Sequence, residues 1–417
     1  MDIARVKDDV VWRQLRIIFI GSALLFLINN FFGFANALTE GQINRGQLLV
    51  HLHAGSVGWI TLSAIGLAIW LLTGQRNVDA GYRQNVQRLG WAAVIAFACY
   101  VPNFWIAFGP IGFSVLLPVF GIASVLVLWW AAIWAIGQLR ALDEVTTPQF
   151  LAAGALLVAS IGATVGALFG LENALGRTIL PIEGPGRVGA HAAMMDTYLF
   201  LVASATVEWV IRPRTDQRLG WPGMVQAGAW VIGAALVPIA FFLNMVDAIL
   251  PIFGLLLLLG LGFFLVRTAW RALVAGPSGA GARPWIFFGT AWLVVYMGLF
   301  MWIVASGGAF EALPAWFPTA FAHVGFVGMM TNLVLALQLQ RADAQRSLAA
   351  WAEPAAMWVM NLGLIVFLGL KIASDVRIGA VVMGIGVVLG VLTSIYRLWN
   401  DRSAAATDTG PMQATAA

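Results

Sequence analysis

Polar and apolar positions along the chain alternate in long blocks. Apolar runs of roughly 20 residues, enough to cross the hydrocarbon core of a bilayer, are broken by short segments carrying the arginines. The pattern predicts about twelve spans, at approximately 15–37, 46–73, 89–108, 113–138, 149–172, 187–211, 221–244, 248–266, 284–306, 316–339, 355–373 and 378–396. Backbone amides have no water to bond in lipid, so each span should be a helix. The expected fold is all-α: a polytopic membrane domain over residues 1–403 with a disordered C-terminal tail at 404–417, rich in Ala and Thr.

The distribution of charge orients this scheme. If the N-terminus is cytoplasmic, 18 of the 23 lysines and arginines fall on the inner side, leaving Arg45, Arg177, Arg187, Lys371 and Arg377 outside or at its edge. The positive-inside rule then supports an even helix count with both termini cytoplasmic, in a membrane of the bacterial inner type. No cleavable signal sequence is evident, because the first apolar segment is long and lacks a small-residue cleavage site.

Composition reinforces the membrane reading. The chain is 61% hydrophobic and 10% charged, with a mean hydropathy of +0.87, so lipid is its surroundings and nucleic acid is not an expected partner. Cys99 is the sole cysteine, which excludes an internal disulfide and makes a thiolate metal cluster implausible.

Histidine is the candidate chemistry. Three of the four histidines begin similar apolar segments: His53 in LHAGSVGWITLSAIG, His191 in AHAAMMDTYLFLVAS and His323 in AHVGFVGMMTNLVLA. They recur at intervals of roughly 135 residues, the signature of a three-fold internal repeat. In the predicted topology they fall on helices 2, 6 and 10, each about two turns (roughly 6–12 Å) from the outer end. Ionisable groups at a shared depth in hydrocarbon suggest ligands for haem or copper, in three pseudo-symmetric groups of four helices. A lone membrane histidine often serves only to bond a neighbouring helix; matched spacing argues for more. His51 lies two residues before His53, about 200° round a helix, so the two point to opposite sides and could serve different centres. Alternatively, one of them bonds a carbonyl or a headgroup.

On these segments the chain resembles subunit I of the haem-copper oxidase superfamily, including the nitric oxide reductases. RGQLLVHLHAGSVGWITLSAIG is similar to the family's second helix, GAHAAMMDTYLFLVASATVEW falls where it has a copper-ligating histidine, and FAHVGFVGMMTNLVL where it has haem-ligating histidines. The resemblance implies twelve helices in three arcs and a six-coordinate haem held by His53 and His323. His51 and His191 then remain for copper or a second haem, with Met194 and Met195 as soft donors for copper(I). It also implies electron transfer to oxygen or nitric oxide, an electron donor such as quinol or cytochrome c, and additional oxidase-type subunits.

The departures are specific. The stretch from Leu219 to Asn244 has no histidine, Met195 stands where oxygen reducers place a tyrosine, and helix 10 has only His323. The usual three-histidine copper site is therefore incomplete. An NnrS-type haem and copper protein of the nitric oxide response is an alternative, although that family's histidine-glutamate-methionine signature is absent. A transporter or sensor binding metal or protons through the histidines is another.

Asp196 and Tyr198 follow His191 as candidate positioning groups or proton carriers. Glu208 is expected as an interfacial carboxylate. Asn29, Asn30, Asn103, Asn244 and Asn332 are expected to lock helices together rather than line a cavity. Glu172, Arg177, Glu183 and Arg187 sit in the longest outer loop, where arginines could pair with haem propionates. Trp221, Trp285 and Trp316 are expected at membrane interfaces.

Overall fold

The computed structural model describes residues 9–73, 78–109, 114–175, 185–278, 281–307, 312–339, 351–372 and 375–400. Among the described residues the chain forms helices α1 (Asp9–Leu38), α2 (Arg45–Thr73), α3 (Ala80–Phe108), α4 (Leu116–Arg140), α5 (Thr147–Leu175), α6 (Pro185–Ile211), α7 (Trp221–Phe242), α8 (Asp247–Ala275), α9 (Ala282–Ala305), α10 (Phe317–Leu339), α11 (Ala352–Ile372) and α12 (Arg377–Asn400). No strand occurs among them; one isolated bridge joins Thr146 and Arg218. Among the described residues eleven helices are long and apolar enough to cross a bilayer, while α6 contributes a shorter apolar stretch, Thr197–Ile211. The protein is an all-α, multi-pass membrane protein.

Helix starts follow local chemistry. Asn44 and Gln47 form a reciprocal capping box at the start of α2. Asp79 caps α3 by accepting from the Tyr82 amide at 2.6 Å. That cap explains why α3 begins nine residues before its predicted apolar boundary: its first turns (Ala80 to Arg88) are polar and invisible to hydropathy.

Successive helices pack as hairpins, and α1 returns against α12 to close the bundle. Two helices are far more enclosed than the rest, with 89% of the most apolar stretch of α2 and 78% of that of α10 buried, against 33% for α3, α4 and α8. The described part of α6 is similarly enclosed, from Thr197 through Glu208. The three histidine-bearing helices thus occupy the interior, as their sequence pattern implied.

Both α2 and α10 contain a π-turn immediately after a histidine, Ala54–Thr61 following His53 and Val324–Thr331 following His323. The same residues build both: His53, Gly55, Val57, Gly58 and Thr61 recur as His323, Gly325, Val327, Gly328 and Thr331. Each threonine closes its wide turn by donating to the carbonyl five residues back, Thr61 to Ser56 and Thr331 to Phe326, both at 2.9 Å. The first glycine of each pair admits a neighbour: a Cβ on Gly55 would lie 2.7 Å from the Asn29 amide nitrogen, and one on Gly325 2.6 Å from the Tyr296 ring.

Away from the histidines, buried polar groups tie the helices. Glu208 is fully buried, not interfacial as expected; Arg267 of α8 bonds it at 3.1 Å, and Gln226 of α7 donates to it at 2.8 Å. Glu353 and Arg397 join α11 to α12, and Asn332 pairs reciprocally with Asn361 across α10 and α11. Trp221 is exposed, whereas Trp285 is packed in the core.

Candidate functional site

The first turns of α2 place His51 against α1. Its Nδ1 donates to the Asn29 carbonyl at 2.9 Å, and the Asn29 amide donates back to the His51 carbonyl. Gly33, one turn further along α1, leaves room for the ring: a Cβ there would sit 3.0 Å from His51 Cε1. Across the interior His323 of α10 donates from Nδ1 to the Thr319 carbonyl at 2.7 Å and packs on Phe367 of α11, ring centroids 4.5 Å apart.

His51 and His323 line one cavity of about 540 Å³ between α1, α2, α10, α11 and α12. Phe34, Val327, Phe367, Met383 and Val387 form apolar walls; Asn29 and Asn30 add polar ones. A smaller cavity of about 70 Å³ shares Asn29, His51, His323 and Val327 with it and reaches Phe26 and Trp59, whose rings stack at 4.7 Å. At the rim stand Glu40, Lys371, Asp375 and Arg377, where Arg377 pairs with Glu40 at 2.9 Å and with Asp375 at 3.5 Å. The volume lies in the range of small-molecule and cofactor sites.

His53 faces elsewhere. Its Nδ1 donates to the Leu49 carbonyl at 2.8 Å, and its ring stacks on Phe104 of α3 at 3.9 Å with Tyr100 edge-on at 5.9 Å. His191 donates from Nδ1 to the Gly162 carbonyl of α5 at 2.8 Å and lies over Gly166. Tyr198 is buried, its hydroxyl 2.8 Å from that of Thr61. Because Thr61 already donates to Ser56, the phenol is the donor in this bond.

One feature unites all four histidines. A carbonyl only accepts, so each Nδ1 carries a proton, and in the neutral ring Nε2 keeps its lone pair. Orientation by a backbone carbonyl through the other nitrogen is how proteins set an imidazole to ligate a metal.

The resemblance paired His53 with His323; in the structure it is His51 that lines a cavity with His323, while His53 packs against Phe104 of α3. The reason is the facing of α2, whose two histidines point apart as their spacing required, with the His51 side turned toward α1 and α10. A three-residue copper set is not assembled: among the described residues no three or more of His, Cys, Asp and Glu gather as a metal would need. Asn29 and Asn30 line the cavity, contrary to expectation, although Asn29 also ties α1 to α2; Asn332 locks as expected. Arg177 and Glu183 lie outside the described residues, as do the side chains of Arg187 and Asp196. The charged rim of the cavity is made instead by Lys371 of α11, Arg377 of α12 and the loop residues Glu40 and Asp375, which sequence reading passed over. Its only signal was that Lys371 and Arg377 are cations on the side predicted to carry few.

No protein-family model matches the chain, and no curated protein matches it.

Proposed function

We propose that the chain is a haem-binding redox protein of the membrane that holds its haem between His51 and His323. Supporting this are two imidazoles from different helices facing one cavity, each oriented through Nδ1, amid apolar walls and beside a rim containing Lys371 and Arg377. Such a chamber suits a flat, apolar macrocycle with carboxylates at one edge. Phe34, Val327 and Phe367 would enclose the ring, and Lys371 and Arg377 would meet the carboxylates. Bound there, haem would supply a reversible one-electron centre, held by His51 and His323. Electron transfer is therefore the role of this site, in keeping with the resemblance to haem-copper oxidase subunit I. The wider reading is twelve helices in three groups of four, both termini cytoplasmic, and quinol or a cytochrome as donor.

The test is an optical spectrum of the detergent-purified protein from haem-sufficient cells, oxidised and then reduced with dithionite. Sharp reduced bands of a low-spin haem are expected. A colourless protein that also takes up no added haemin contradicts the proposal.

A further inference from the structure

The rim of the large cavity is unevenly paired. Lys371, half-buried near the end of α11, lines the cavity and has no hydrogen-bond or ion-pair partner among the described residues. Arg377, at the start of α12, has two carboxylates: its Nη1 lies 2.9 Å from Glu40 and its Nε 3.5 Å from Asp375. These two acids differ in what else they do. Asp375 also accepts the Arg377 amide at 3.1 Å, so it belongs to the turn into α12.

Glu40 belongs to the end of α1. There the Gly41 amide donates to the Asn36 carbonyl at 2.8 Å and the Glu40 amide to the Ala37 carbonyl at 3.3 Å, the paired bonds of a Schellman ending. That ending puts Glu40 in the left-handed region, at φ 55°, which glycine occupies freely and a residue with a Cβ occupies under strain. The helix ending has no use for a carboxylate. What glutamate adds at this position is a negative charge on the cavity rim, held against Arg377.

The pair is placed where it can exchange. The side chains of Arg377 and Glu40 are 52% and 63% exposed, and an ion pair in such surroundings is weak. The Arg397–Glu353 pair, at 5% and 10%, is by contrast shut inside the bundle. A carboxylate arriving at the rim therefore meets Lys371 unpaired and Arg377 already holding a carboxylate of the chain itself.

Resting on the haem reading, we infer that Glu40 is a built-in competitor for the acidic edge of the ligand, occupying Arg377 until a haem carboxylate takes its place. Lys371 is then the first anchor and Arg377 the second. A macrocycle without carboxylates leaves Glu40 on Arg377 and gains nothing from its removal.

Full-length protein, purified in detergent from haem-depleted cells, would be titrated with haemin and with haemin dimethyl ester, whose two carboxylates are blocked. Glu40→Gln keeps the shape of the side chain and removes its charge; Glu40→Gly keeps the helix ending and removes the side chain. Both should bind haemin about two- to five-fold more tightly than the wild type, the size expected of an exposed ion pair, and should bind the ester as the wild type does. Arg377→Gln should weaken haemin binding, and adding Glu40→Gln to it should recover little, because the two residues act on one contact. Unchanged or weaker haemin binding in both Glu40 variants, or an equal gain with the ester, would overturn the inference and leave the haem reading standing. A wild type that takes up neither macrocycle would overturn both.

Discussion

His51 is held at three points by α1: its Nδ1 by the Asn29 carbonyl, its own carbonyl by the Asn29 amide, and its ring by the open space over Gly33. These contacts set the azimuth of the imidazole, and each gives a testable consequence. Gly33→Val places two methyls where a Cβ alone would be 3.0 Å from the ring, so His51 must turn. Haem affinity should fall by roughly 10–100-fold, the range for a disturbed ligand-orienting group, measured by haemin titration. Asn29→Ala removes only the donor to the His51 carbonyl and leaves the backbone acceptor of Nδ1 in place. It should cost about 0.5–1.5 kcal/mol of stability, visible in thermal unfolding, with a smaller change in haem binding. The histidines were legible in the sequence because imidazole is rare in hydrocarbon and theirs recur. Their pairing was not, since HLH offers two opposite faces and only packing against α1 and α10 decides which one meets His323.

At the scale of elements, the long apolar runs announced nearly every helix, and the boundary of α3 was missed where a polar first turn hides from hydropathy. The repeated π-turn was also present in the sequence. Gly55, Gly58 and Thr61 match Gly325, Gly328 and Thr331 in register, but the threonine signal acquires meaning only once its bond to the carbonyl five residues back is seen. Thr331→Val keeps the shape and deletes that bond. Loss of one buried hydrogen bond of about 1 kcal/mol should let the wide turn tighten, which rotates His323 relative to the rest of α10. A shifted or weakened haem spectrum with an intact helical circular dichroism signal is expected; an unaltered spectrum would show that the turn does not position the ligand.

Across the whole molecule, the three enclosed helices carry the histidines near one end and are tied by buried polar contacts at the other. Among these ties is the ion pair of Glu208, at 0% exposure, with Arg267. Glu208→Ala strands a buried guanidinium and should destabilise the protein by about 3–5 kcal/mol, whereas Glu208→Gln, which keeps hydrogen-bonding capacity, should cost less; unfolding in detergent separates the two. Neither change should move the haem bands, since the site lies at the other end of the bundle. That arrangement separates the frame from the chemistry, and the chemistry rests on which histidine of α2 faces α10. The most direct measurement is the reduced-minus-oxidised spectrum, with haem content, of His51→Ala beside His53→Ala. Loss of the low-spin bands in His51→Ala and their survival in His53→Ala is the expected result, and the reverse pattern would contradict the assignment of His51 and His323 as the haem pair.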